Sequence, residues 1–436
     1  MKSWKSSLLL LGLVVAEHPP ADQLWQVKPA INSTDLLFAG WEQIPIVKEI
    51  EVSNGVSSGR TYAHHPELFY MNGTTYLIFS SAPVDEDSMG QDVRISVSSD
   101  DGLTWGANQV VMPAALLPNQ TDTKNFEYWC SRNITQRAWQ ALTFVHLTEP
   151  DRLYAIGQSA SVVCPGGTQS AGRIAVQIDK ANGSVASEPC WIEKNEYTAP
   201  QLFSQTVYGT KYGMKDCTDA DKINAILREP DQAPAWSPWL YNHELYAADG
   251  IHNMQEQTHA VRFTDHHGSS TGGYWQRFWR DISPTNNTKA VWVEYNDDEE
   301  GEGWYPYTLS EHGNKIYQTN IPDAKTKQYL GRITPSGDRY LIHNPVYRDD
   351  LSRQPLTIAM SRGYRATGMQ QTYRSIGVLR TNASTIIAPE TRDMYKNHGF
   401  SYPTAVQVGG NLIVAYSENK ENIWVSVVKI QDLPDE

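Results

Sequence analysis

Along much of the chain apolar and polar residues alternate with a period of two. Val93-Arg94-Ile95-Ser96-Val97-Ser98 is the clearest run, and such alternation predicts a strand with one buried face. The pattern also recurs in paired form. Pro66, Pro306 and Pro403 are followed at one fixed spacing by Gly73, Gly313 and Gly410, and at twice that spacing by Ser80, Asn320 and Ser417. Each segment reads as strand, glycine turn, strand: His65 to Tyr70 with Thr75 to Phe79, Tyr305 to Leu309 with Lys315 to Tyr317, and Tyr402 to Val406 with Leu412 to Tyr416. One stretch departs to the helical period: Ala220, Ile223, Ile226 and Leu227 precede Pro230, which predicts a helical insertion near 217–231.

The alternating run ends in Ser98-Ser99-Asp100-Asp101-Gly102-Leu103-Thr104-Trp105, which fits S-x-D-x-G-x-T-W at every specified position. Asp100 suits a tight turn because its carboxylate accepts from backbone amides just ahead. Gly102 tolerates positive φ, and Trp105 covers the apolar underside. Repeated hairpins joined by such turns predict an all-β protein built as one propeller. Blades of roughly 45 to 60 residues divide the chain into six or seven, with seven preferred.

Composition narrows the partners. The 436 residues carry a net charge of -13, 14 Trp and 23 Tyr. That balance excludes nucleic acid as the main partner and predicts an aromatic surface for a carbohydrate or small-molecule ligand. Lys2 and Lys5 precede the apolar run Leu8 to Ala16, too short to span a bilayer. Residues 1–20 therefore read as a signal peptide and 21–436 as one exported propeller domain, without membrane anchor and monomeric. The sequons at Asn32, Asn72, Asn119, Asn133, Asn182, Asn286 and Asn382 agree with export. Cys130, Cys164, Cys190 and Cys217 predict two disulfides with three possible connectivities. No cysteine pair has metal-ligand spacing and no glycine-rich phosphate loop follows a strand, so no metal or cofactor is expected.

Tyr62-Ala63-His64-His65-Pro66, the run Ser80 to Gln91, the octapeptide, Asn344-Pro345 with Arg353-Gln354-Pro355-Leu356, and Tyr402-Pro403 with Tyr416 to Glu421 resemble the sialidase-like (BNR/Asp-box) propellers over most of the chain. Within that group the chain is most similar to the branch with lyases that cleave rhamnose-glucuronate linkages. Sialidases carry an Arg-Ile-Pro motif that binds the sialic carboxylate, and this chain has no such tripeptide.

Propeller sites lie where inner strands begin, so the residues beside the repeated prolines are the candidates. Proton abstraction next to a uronate carboxylate needs a base and a cation that neutralises the carboxylate. His64 and His65 supply candidates for the first and Arg353, by its family-like context, for the second. Tyr402 completes the catalytic set. Substrate-binding candidates are Arg60, Tyr62, Trp129, Arg132, Trp236, His243, His252, Trp304, Tyr305 and Arg348. The leading expectation is a secreted lyase acting on a uronate-containing polysaccharide. The alternatives are a propeller recruited to small-molecule biosynthesis as a pericyclase of hetero-Diels–Alderase type, with an aromatic pocket that includes Trp139, and an exo-glycosidase or non-catalytic carbohydrate-binding propeller.

Overall fold

The computed structural model describes residues 18–28, 40–86, 90–116, 136–160, 172–194, 215–235, 245–246, 253–263, 273–283, 290–298, 300–301, 316–346, 352–362, 372–388 and 396–435. Among these, strands form five sheets. The first blade runs Tyr62–Met71, Thr74–Ala82, Asp92–Ser98 and Gln109–Met112, each antiparallel to the one before. The second runs Ala115–Leu116, Gln136–Thr148, Asp151–Ala160, Gly172–Ile178 and Cys190–Lys194. The third runs Leu245–Tyr246, Asn253–Gln257, Tyr274–Asp281, Ala290–Asn296 and Ile316–Pro322, with Val261–Phe263 paired beside it. The fourth holds Tyr329–Arg332, Arg339–His343, Leu356–Ser361 and Ser375–Arg380, edged by Glu42–Gln43.

The fifth blade holds Phe400–Val408, Asn411–Glu418 and Asn422–Lys429, and an early strand, Ile46–Ser53, adds to its outer edge. That addition ties the beginning of the chain to its last sheet and covers an edge that would otherwise pair with another chain. Apolar clusters fill the spaces between neighbouring blades. Ile95 and Ile174 belong to one that joins the first and second, Phe79 and Val425 to one that joins the first and fifth, Ile358 and Val414 to one that joins the fourth and fifth. Phe278 and Leu341 join the third to the fourth.

The expectation of six or seven blades, with seven preferred, is corrected to five among the described residues. Division by blade length assumes short connections, and this chain does not keep them short. Between Lys194 and Leu245 the described residues form a helix, Ala220–Leu227, and a 3-10 turn, Pro230–Ala235. Ile223 and Leu227 of that helix pack with Val145, Tyr154 and Ile192 of the second blade. The Cys190–Cys217 disulfide, with Cα atoms 4.9 Å apart, ties the helix's leading segment to the same blade. Cys130 and Cys164 lie outside the described residues, as do residues 1–17.

The octapeptide behaves as its residues dictate. Asp100 accepts from the Ser98 hydroxyl and Thr104 amide at 2.8 Å and from the Thr104 hydroxyl at 2.7 Å. Trp105 Nε1 donates to the Gly102 carbonyl at 3.0 Å. Gly102 has φ +81°, and a Cβ there would stand 2.8 Å from Ile413 Cδ1 of the fifth blade. The turn is therefore keyed into its neighbour. Trp139 is corrected from pocket to core: it is buried with Ile95 and Trp191 between the first two blades.

Candidate active site

Strands of successive blades touch one another: Tyr62–Met71 lies against Phe400–Val408 on one side and Gln136–Thr148 on the other. Around this contact three side chains project from breaks in strand register. The register shifts between His64 and Glu67 in the first blade, Gln255 and Gln257 in the third, and Ser401 and Thr404 in the fifth. Within these breaks His65, Glu256 and Tyr402 have φ of 53°, 56° and 53°. A bulge adds a residue to one strand and re-aims its side chain, and a non-glycine residue at positive φ costs about 1–3 kcal/mol unless its surroundings hold it. Here the three bulges face one another.

Their contacts supply the holding. The Tyr402 hydroxyl donates to Glu256 Oε1 at 2.6 Å and accepts from Arg280 Nη1 at 2.8 Å. Arg280 also pairs with Glu256 Oε2 at 2.6 Å and donates through Nε to the Lys325 carbonyl at 2.8 Å. Burial pushes the phenol pKa of Tyr402 far up, so it rests protonated. Burial also works to raise Glu256, but Arg280 and the phenol donor outweigh it and hold the carboxyl below its ordinary value.

On the other side of the Tyr402 ring stand the histidines. The His64 ring lies 4.1 Å from that of Tyr402 and 4.5 Å from that of His65, centroid to centroid. His64 is fully buried, and neither ring nitrogen has a hydrogen-bond partner among the described residues. Burial first, then His65 and Lys420, hold it well below the ordinary histidine range, so it is neutral. His65 Nδ1 lies 3.2 Å from Ser80 Oγ, and its Nε2 lies 3.3 Å from Glu86 Oε1. The second oxygen of Glu86 takes Lys420 Nζ at 2.7 Å. Burial works to raise this carboxyl, yet Lys420 and the histidines hold it well below the usual range.

Arg353 is 4 % exposed, with its guanidinium carbon 5.6 Å from the Tyr402 ring centre. Its Nε and Nη1 have no acceptor among the described residues. Burial and Arg280 lower its pKa, opposed by Tyr402, Glu256 and Glu86. Asp323 is 2 % exposed, and burial pushes it up to about 6 against the pull of Arg280 and Arg353. A buried guanidinium with unspent donors is costly unless an anion takes them.

The structure thus brings together His64, His65, Tyr402 and Arg353. Tyr62 is buried beside them, its ring 6.1 Å from that of His64. Arg60 is spent elsewhere: it donates to Ser81 at 2.9 and 2.7 Å and to the Gly90 carbonyl at 2.8 Å, and pairs with Asp92 at 3.1 Å, a tie within the first blade. Trp129, Arg132, Trp236, His243, His252, Trp304, Tyr305 and Arg348 lie outside the described residues. The sequence alone assigns no role to Arg280 or Lys420, whereas it offers Asp85-Glu86-Asp87 as a run able to hold a cation or orient a histidine and His252 to His259 as a structural or substrate-contacting loop. Glu256 sits inside that second run, but nothing in the run itself marks it out from its neighbours as the partner of Tyr402.

In overall backbone this arrangement matches a solved protein described as "Sialidase", with a TM-score of 0.64 over 94% of this chain at 17% identity. The chain has the β-propeller fold of that protein. It spans 35% of that protein's length. The Hadza microbial sialidase Hz136 follows at a TM-score of 0.49 and 11% identity, covering 88% of this chain and 69% of its own. The intramolecular trans-sialidase from Ruminococcus gnavus, in complex with oseltamivir carboxylate, gives 0.46 and 8%, covering 90% and 98%. Neither of the last two scores carries weight in assigning the propeller. A family model described as "Beta-prop_BT_1020:-like, N-terminal beta propeller" matches residues 48–237. No curated protein sequence matches the chain. No helix among the described residues is long and apolar enough to cross a membrane.

Proposed function

We propose that the protein is an exported glycan-active enzyme that acts on a carboxylate-bearing sugar by β-elimination, with Tyr402 as the reacting group. One observation carries this reading: a single phenol oxygen donates to Glu256 and accepts from Arg280, beside the unspent donors of Arg353. The Tyr402 proton passes to Glu256, and Arg280 stabilises the phenolate that remains. The phenolate takes the proton from the carbon next to the substrate carboxylate, which Arg353 neutralises. The electron pair forms the carbon–carbon double bond as the glycosidic oxygen leaves with a proton from Tyr402, and Glu256 then returns its proton. His64, kept neutral, places no second charge against the phenolate.

The base therefore moves from the histidine pair to Tyr402. His65 has both nitrogens near partners, whereas Tyr402 has a proton acceptor in place. A second reading is a retaining glycosidase in which Tyr402 attacks the anomeric carbon, favoured by the same Tyr–Glu pair and by a structural neighbour described as a sialidase. It needs a second carboxyl able to donate a proton to the leaving oxygen. Glu86, beside the histidines, is held ionised by Lys420, which leaves Asp323, pushed up to about 6, as the carboxyl for that role, whereas elimination needs no second carboxyl. Recruitment as a pericyclase gains no specific support: Trp139 is core, and Trp129, Trp236 and Trp304 lie outside the described residues.

The test is incubation with rhamnose-capped glucuronan and gum polysaccharides, following the ultraviolet absorbance of an unsaturated uronate product. Elimination predicts a rise that Tyr402→Phe loses. New reducing ends without that absorbance would replace elimination with displacement, and neither signal on any acidic glycan would overturn both readings.

A further inference from the structure

We infer that His64, His65 and Glu86 form a binding site for a divalent transition-metal ion of the zinc class. The inference stands on the geometry of these three side chains and does not rest on the reaction proposed above. One donor atom from each lies within 4.8 Å of the others. Adjacent residues of a regular strand point to opposite faces, so two consecutive histidines do not normally share a ligand. The bulge at His65 removes that obstacle, and the two rings stand 4.5 Å apart with planes inclined by 49°.

Each donor is prepared in a way that suits a metal. His64 is fully buried with both nitrogens unpartnered among the described residues. A buried imidazole without a partner is uncommon, because leaving it so costs free energy that a bound ion would recover. The Nε2 of His65 faces Glu86 while its Nδ1 lies 3.2 Å from Ser80 Oγ, which in turn accepts the Ala141 amide at 2.9 Å. Metal-bound histidines commonly donate their far N–H to such a fixed acceptor, which sets tautomer and ring angle. Glu86 is oriented likewise: Lys420 holds Oε2 at 2.7 Å and leaves Oε1 turned toward the imidazoles.

Two nitrogens and one carboxylate oxygen suit zinc, cobalt or nickel better than calcium or magnesium, which take mainly oxygen. Three protein ligands also leave a position open for water or an acidic ligand. Lys420 and Arg353 stand close enough to oppose a dication, so the site is weaker than a closed four-ligand structural site.

The experiment uses the full chain, stripped with chelator, its melting temperature recorded, and titrated with cobalt(II) by visible spectroscopy and with zinc by calorimetry. The expected result is one equivalent bound, a ligand-field band displaced by zinc, and a zinc-dependent rise in melting temperature. Glu86→Gln, His64→Gln and His65→Gln should each lose the band while still melting cooperatively. His146→Ala, at the exposed His146–Asp151 pair, should keep it. If a ligand variant fails to fold, the remaining two decide. Absence of saturable binding to the folded wild type, or a band that survives all three ligand variants, overturns the site.

Discussion

The octapeptide turn and the mouth of the propeller use the same backbone device to opposite ends. At the turn, Asp101 and Gly102 take positive φ where every polar side chain named above has its partner. At the mouth, His65, Glu256 and Tyr402 take positive φ in mid-strand, and groups near them are left short among the described residues: His64 has no hydrogen-bond partner, Arg353 has two donors without acceptors, and Asp323 is buried near its titration range. A scaffold satisfies its polar groups because each unmet one costs about 1–3 kcal/mol. Unmet groups gathered at one site, two of them against the Tyr402 ring, mark a place where stability is given up for a ligand.

The largest expected effect falls on the mouth. Tyr402→Phe removes the proton shared by Glu256 and Arg280 and should lower turnover by about 10³-fold or more while leaving the melting temperature within a few degrees. A variant that keeps the wild-type rate on a glycan turned over in that assay would show that the phenol is structural, and the contrast with the turn would fail.

Next is Asp323, whose carboxyl the fold pushes up to about 6 from an unfolded 3.8, by burial. Because the native pKa is the higher one, the folded state binds the proton more tightly. Stability is greatest below the unfolded value, falls as pH rises between 3.8 and about 6, and stays low above. The penalty at neutral pH is about 3 kcal/mol at most. Asp323→Asn should therefore stabilise the protein at pH 7.5 more than at pH 4.5 in denaturant titrations. Equal shifts at the two pH values would mean that Asp323 is paired well enough to ionise freely.

The scaffold end should answer to volume instead. Gly102→Ala places a methyl 2.8 Å from Ile413 Cδ1 at a φ that disfavours any side chain, and should cost about 2–3 kcal/mol with unchanged activity. Ile413→Val in the same background should recover part of the loss, since it trims the atom in the way. No recovery would assign the whole cost to backbone strain.

The same contrast explains what the sequence could announce. Scaffold features are written locally: the octapeptide, the glycine turn after Met71 and the alternation of Val93 to Ser98 each carry their reason within a few residues. His65 and Tyr402 were findable because prolines repeat beside them. Glu256 and Arg280 were not, because what makes them functional is a register break in one blade meeting a tyrosine from another, a contact between distant parts of the chain. Blade number failed for a related reason: it depends on how much chain goes into connections, and alternation says nothing about them.

The smallest effect isolates the backbone device itself. Asn72 and Gly73 take φ of 51° and 82° between the paired residues Met71 and Thr74, the two-residue type I′ turn that matches the twist of a hairpin. Asn72 is exposed and far simpler in its surroundings than Tyr402. Asn72→Ala should cost about 1 kcal/mol and Asn72→Gly only a few tenths, since glycine bears no penalty at that φ. Denaturation midpoints of the two variants would thus measure what positive φ costs where nothing else is at stake. If the alanine variant proves neutral, strain cannot be part of the cost at the mouth, and the unmet polar groups must account for all of it.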